Sequence, residues 1–248
     1  MSTMPEGPSI ILLREKAAPF IGRKIVEVEG DTGKFDVRSL LNCPVLDLKT
    51  FGKEFLICLP DFTVRVHLQL FGSYLINERK DSALKLGLTF GKGEELNFYA
   101  CDIRLIKEPL DEVYDWTAEV MHENWDADHA LKKMSAKPDR LIGDVLLDQS
   151  IFAGVGNKIK DEVLYEVRVH PESQVGEMGN KKLLDTIDCC VSKSFAYLDW
   201  EKSGRPEGFL QVHRQKECPV FHTPLTTKKI GKTKRQSYFC EECQKLYV

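Results

Sequence analysis

Four residues near the end of this 248-residue chain have the types and spacing to hold a metal. Cys240-Glu241-Glu242-Cys243 sets two thiolates two residues apart, and Cys218 with His222 supplies the two remaining donors that a tetrahedral zinc takes. Short ribbons of this kind bury little apolar surface, so a zinc would contribute their folding energy directly. The competing reading is a ribbon held by packing alone, with His222 on the surface. Upstream, Leu147-Asp148-Gln149-Ser150-Ile151-Phe152 runs into Ala153-Gly154-Val155-Gly156-Asn157, two glycines just ahead of a helical pattern. Glycine allows close backbone approach, a helix start offers free amides to an anion such as phosphate, and the Asn157 side chain is expected to cap that helix. An ordinary helix hairpin with a glycine turn has the same local signature.

The elements that position these residues change character along the chain. From Ser9 to Phe20, Ile10, Leu13 and Ala17 recur at helical spacing, and Pro8 suits a first-turn position. From Lys24 to about Lys107 come short segments of alternating or continuous apolar character, KIVEVEG, CPVLDLK, EFLICL, TVRVHLQL, SYLIN, LKLGLTF and ELNFYA, divided by Gly, Asp, Asn and Pro. They predict an antiparallel sandwich or barrel. Leu141 to Leu147, Lys158 to Val167 and Lys181 to Trp200 return to helical periodicity. The expected fold is α+β, divided into an N-terminal unit over 1–122, a helical unit over 123–209 and a zinc-bearing unit over 210–248.

A hydrophobic content of 42% over 248 residues supports a real core and suggests more than one domain. No run of about 18 apolar residues occurs, and the start lacks a secretory pattern, so a soluble, cytoplasmic, monomeric protein without membrane partners is expected. The eight cysteines are scattered except near the end, which favours reduced thiols plus one metal site over a disulfide framework. A net charge of -3 argues weakly against nucleic-acid binding, but the charge is unevenly spread. From Lys202 to Val248 there are ten Lys/Arg against four Asp/Glu, and five of these cations fall between Lys228 and Arg235. Glu108 to Asp128 carries eight acids and no Lys or Arg. A charge run alone is usually a solvated face and acquires meaning beside a nucleic-acid site.

LLDQSIFAGVGNKIKDEVLYEVRVHPE resembles the helix–two-turn–helix segment of the formamidopyrimidine-DNA glycosylase/endonuclease VIII family, and MPEGP resembles that family's catalytic N-terminus. The resemblance runs from Met4 to Lys245, with Ile159 where many members have Tyr and Phe221 where a second finger cysteine is common. It implies a zinc-containing glycosylase that acts on damaged bases and abasic sites in double-stranded DNA. Pro5, as a free amine, would be the nucleophile; Glu6 would assist proton transfers on the sugar; and Lys53, in FGKEFLICL, would bind phosphate and assist elimination. Asn157 and Arg235 would grip phosphates, and Gln69-Leu70-Phe71 would fill the gap left by the flipped nucleotide.

Met1-Ser2-Thr3 precede the MPEGP motif, and Pro5 becomes an amine only once everything before it is removed, for which a start at Met4 is the simplest route. The Gln-Leu-Phe wedge, the segment NFYACDIRL and the short span from Trp200 to Cys218 resemble the endonuclease VIII branch and imply a preference for oxidised pyrimidines. The alternatives are an 8-oxoguanine-type glycosylase and a chemically silent protein that binds damaged DNA.

Overall fold

In the computed structural model, which describes residues 5–248, Ile10, Leu13 and Ala17 form the buried face of α1 (Gly7–Ala17). Pro8 lies in its first turn, where a missing N–H costs nothing. A single 3₁₀ turn, Ala18–Phe20, extends it and stacks Phe20 on Phe90, with ring centroids 4.4 Å apart.

The apolar segments become strands β1 (Ile25–Glu29), β2 (Asp47–Phe51), β3 (Glu54–Cys58), β4 (Thr63–His67), β5 (Ser73–Ile76), β6 (Leu84–Phe90) and β7 (Glu94–Tyr99). An eighth, β8 (Asp102–Ile106), follows β7 after a turn in which Ala100 takes a positive φ of 48°. The strands form two antiparallel four-stranded sheets, β1-β6-β7-β5 and β2-β3-β4-β8. The apolar segments read from the sequence end with ELNFYA at Ala100 and leave out β8, in which Asp102 and Arg104 alternate with Ile103 and Leu105. Phe55, Ile57, Val64 and Val66 of one sheet share a core with Leu86, Leu88, Leu96 and Phe98 of the other and with Ile10 and Leu13 of α1. Burial of such side chains contributes roughly 1.5–3 kcal/mol each before the entropy of ordering is set against it.

The chain divides into two compact units at Tyr114/Asp115. That break comes before the expected 122/123, because Ala118 and Val120 are buried with the helical residues. A short α2 (Leu110–Val113) closes the first unit. The second contains α3 (Ala127–Ser135), α4 (Ile142–Val145), α5 (Asn157–Glu166), α6 (Gly179–Lys202) and a hairpin of β9 (Thr226–Ile230) and β10 (Arg235–Phe239). Residues 210–248, expected as a separate unit, fall within this second one. Asp126 caps α3 by accepting from the His129 N–H at 2.9 Å. Among the described residues no helix is long and apolar enough to cross a membrane.

Candidate functional site

In the first unit the candidate residues stand at the start of α1 and at two turns. Pro5 is half-buried and Glu6 buried, and the Glu6 carbonyl accepts from the Ser9 and Ile10 N–H groups, so that α1 begins directly after it. The segment Met1 to Met4, on which exposure of the Pro5 amine depends, lies outside the described residues. Lys53 occupies the second position of the two-residue turn between β2 and β3, and Gly52 takes the positive φ of 56° that this kind of hairpin needs at its first position. It is half-buried beside Glu54, in a turn rather than within a strand.

Gln69, Leu70 and Phe71 form the turn between β4 and β5. Leu70 is 46% exposed and Phe71 72% exposed, a pair of large apolar groups held in solvent at a turn whose Gln69 has φ 55°. The turn closes so tightly that a Cβ at Gly72 would lie 1.7 Å from the Leu68 carbonyl oxygen. Apolar side chains fixed outward in this way suit insertion into another apolar or stacked surface.

Sequence reasoning passed over His67, the last residue of β4 and the cross-strand partner of Glu54. Its Nδ1 is buried, 3.9 Å from Glu54 Oε1, with no hydrogen-bond partner among the described residues. Burial, with the Arg65 and Lys53 charges nearby, holds its pKa below the ordinary value and keeps the imidazole neutral. Its position two residues before the exposed wedge, on the strand next to Lys53, was the available signal. Glu54 opposes burial by accepting from Arg65 and from the Tyr114 hydroxyl at 2.6 Å, and its carboxyl is held below the usual range.

In the second unit Gln149 ties the glycine turn together: its amide donates to the Leu147 and Val155 carbonyls, both at 3.0 Å, and its Oε1 accepts from the Gly154 N–H at 3.1 Å. Gly154 has φ 98°. Asn157 opens α5, but the cap position belongs to Gly156 and no side chain caps the helix. The expected capping role of Asn157 is therefore corrected. Its Nδ2 instead donates to the Gln236 carbonyl of β10 at 2.6 Å, and its Oδ1 accepts from Lys160 Nζ at 2.8 Å. Ile159 is buried in the helical core, where its apolar chain meets no polar demand. Arg235 is exposed on β10, next to Gln236, with Lys228, Lys229, Lys232 and Lys234 exposed on the same hairpin.

Cys218, Cys240 and Cys243 come together with their sulfurs all within 4.8 Å of one another. Cys218 Sγ and Cys243 Sγ are 3.5 Å apart, close to the about 3.8 Å expected of two thiolates on one tetrahedral zinc. Burial opposes the charged form of Cys218, but the Phe221 and Val220 N–H groups and the Tyr165 hydroxyl draw its thiol down to about 6. Burial, and sharing with the other two sulfurs, push Cys243 up to about 11. A thiolate already favoured at one corner of a three-sulfur cluster fits a divalent soft cation. His222 is not brought to the cluster: its side chain is 75% exposed and its Nδ1 lies 2.8 Å from Glu217 Oε1. Three of the four expected ligands are thus assembled, and the sequence pattern carried no information on where the His222 ring points.

A two-layer antiparallel unit is thus followed by a helical unit with a glycine-turn helix start, a basic hairpin and a three-cysteine cluster. The formamidopyrimidine-DNA glycosylase H2TH domain matches residues 117–192. Endonuclease 8-like 3 of Mus musculus is 27% identical over 217 residues, covering 80% of this chain. The chain spans only 34% of that relative's own length. Formamidopyrimidine-DNA glycosylase of Halalkalibacterium halodurans is 27% identical over 278 residues, covering 98% of this chain and all of the relative. The fold is shared with Lactococcus lactis formamidopyrimidine-DNA glycosylase, solved non-covalently bound to DNA containing an abasic site, at a TM-score of 0.84 and 21% identity over 97% of this chain and 99% of that one. The chain thus resembles the formamidopyrimidine-DNA glycosylase/endonuclease VIII family, by the family model over residues 117–192 and by similarity to its members over most of its length.

Proposed function

We propose that this chain is a base-excision DNA glycosylase with AP lyase activity, favouring oxidised pyrimidines, and that its partner is double-stranded DNA carrying a damaged base or an abasic site. The observation that carries the reading is similarity over the whole chain to a protein named formamidopyrimidine-DNA glycosylase, joined to Pro5-Glu6 at the start of α1. The Pro5 nitrogen, freed as a secondary amine, attacks C1′ of the damaged nucleotide and the base departs with a proton. Opening of the sugar leaves an iminium between Pro5 and C1′. That iminium withdraws electrons, so a proton can leave C2′ while the C3′–O bond breaks; a second elimination breaks the C5′–O bond. Glu6 handles protons on the sugar, and Lys53 binds phosphate and assists elimination. Asn157 and Arg235 hold the phosphates flanking the lesion, while Leu70 and Phe71 fill the gap in the stack.

A zinc bound by Cys218, Cys240 and Cys243 would act structurally by holding the hairpin that carries Arg235. The endonuclease VIII branch is favoured by the exposed Leu70-Phe71 turn and by the short span between α6 and Cys218.

The test is borohydride trapping on abasic-site DNA with protein shown by intact mass to begin at Pro5. A covalent product that Pro5→Gly largely abolishes is expected. Equal trapping by protein retaining Met1-Ser2-Thr3 would overturn the proline assignment, and DNA binding without trapping by the Pro5-started protein would leave a silent binding module.

A further inference from the structure

Lys160 lies one turn into α5 with only 1% of its side chain exposed. A buried ammonium is costly unless each of its three N–H groups finds an acceptor. Here the acceptors are Asn157 Oδ1 at 2.8 Å, Ser237 Oγ at 2.6 Å and Asp161 Oδ1 at 3.1 Å. Asp161 is itself 1% exposed and meets His213 Nδ1 at 2.7 Å through its other oxygen. The chain of contacts therefore runs from His213 through Asp161 and Lys160 to α5's first residue and to β10.

An amide side chain has a donor end and an acceptor end of nearly the same shape, so a phosphate would meet either a favourable N–H or a repelling carbonyl depending on a single flip. Lysine only donates. The atom of Asn157 facing Lys160 must therefore be the oxygen, which turns Nδ2 toward the Gln236 carbonyl at 2.6 Å and, more loosely, toward Asp161 Oδ2 at 3.5 Å, the contact that an arriving phosphate would have to replace. The same ammonium grips Ser237, two residues from Arg235. We infer that Lys160 is a positioning residue that fixes which end of the Asn157 amide is the donor, with Nδ2 turned to the Arg235-bearing strand, so that both phosphate-gripping groups are set before DNA arrives. This rests on the proposed reading of Asn157 as a phosphate contact.

The experiment measures affinity of the purified full chain for a duplex containing a tetrahydrofuran abasic analogue, at one fixed salt concentration, in a double-mutant cycle. A charge-assisted hydrogen bond to phosphate corresponds to about tenfold in affinity, so Asn157→Ala and Lys160→Met are each expected to weaken binding about tenfold. The double variant should be no weaker than Asn157→Ala alone, because Lys160 acts through Asn157. Additive loss, about a hundredfold, or an unaffected Lys160→Met would overturn the positioning role while leaving Asn157 as a phosphate contact. An unaffected Asn157→Ala would overturn the phosphate reading and the inference together.

If Lys160→Met does not fold, NMR of the unmutated protein decides. A slowly exchanging Lys160 ammonium signal and one protected Asn157 amide pair are expected, the latter identified by its loss in Asn157→Asp. An averaged, rapidly exchanging amide would overturn the inference.

Discussion

Asp144 of α4 accepts from the Lys232 backbone N–H at 2.9 Å, so the tip of the β9–β10 hairpin is fastened to the helical unit far from the three cysteines in sequence. Thr233 Oγ1 adds a second, longer bond at 3.3 Å to the other carboxylate oxygen. The hairpin is thus held at its tip by Asp144, along its middle by Lys160 and Asn157, and at its base by the cysteine cluster.

Loss of the tip anchor should be measurable without DNA. Asp144→Ala is expected to cost about 2 kcal/mol, because two donors lose a charged acceptor, and to speed hydrogen exchange at Lys232. Gly231→Ala is expected to destabilise as well: φ is +70° there and a Cβ would stand 2.2 Å from Asp144 Oδ1. The two costs should not add, since removing the carboxylate removes the clash. Strictly additive melting shifts would show that the carboxylate does not contact the turn.

Metal analysis of freshly purified protein should find one zinc per chain. Cys240→Ser is expected to abolish stoichiometric binding, whereas His222→Ala, whose ring faces Glu217, should weaken zinc by roughly tenfold or less and loosen the hairpin. Equal loss in both variants would make His222 a ligand of the same standing as the cysteines. Full DNA affinity in zinc-free protein would remove the metal from the account.

The exposed wedge predicts a substrate profile. An oxidised pyrimidine has lost aromaticity and stacks poorly, so it costs less to extrude than a purine. Single-turnover excision of thymine glycol or dihydrouracil should outpace that of 8-oxoguanine in the same duplex. Leu70→Ala should slow duplex excision by roughly tenfold while sparing single strands, since only a duplex leaves a gap to fill. Faster release of 8-oxoguanine than of both pyrimidine lesions would place the chain in the purine branch.

Acid should destabilise the first unit in two stages. His67 has a folded pKa below the ordinary 6.5, so the unfolded chain takes up the proton first and stability is lost as pH falls below about 6.5. Glu54 has a folded pKa below the ordinary 4.5; its contribution is fully present above that value and is lost as pH falls through the lower folded one. His67→Gln should flatten the first stage, and Glu54→Gln the second. An unfolding midpoint that stays level from about pH 7 to 5 in the unmutated protein would contradict the lowered pKa of the half-buried His67.

What the sequence alone determined were properties with a short period or a short spacing. Alternation over Lys24 to Lys107 marks the strands, because successive side chains on a strand face opposite ways. Ile10, Leu13 and Ala17 mark α1, the two glycines mark the start of α5, and Cys240 and Cys243 sit close enough in sequence to share a metal. The tertiary structure decided everything that depends on chain segments far apart. Asn157 meets Gln236 and Lys160 meets Ser237 only when α5 packs against β10, 77 to 79 residues away, and that contact turns an expected helix cap into an oriented donor. The aim of His222 toward Glu217 is a side-chain rotation that spacing does not encode. The burial of the His67 Nδ1 atom, on a side chain that is otherwise half-buried, likewise arises where β4 lies between β3 and β8.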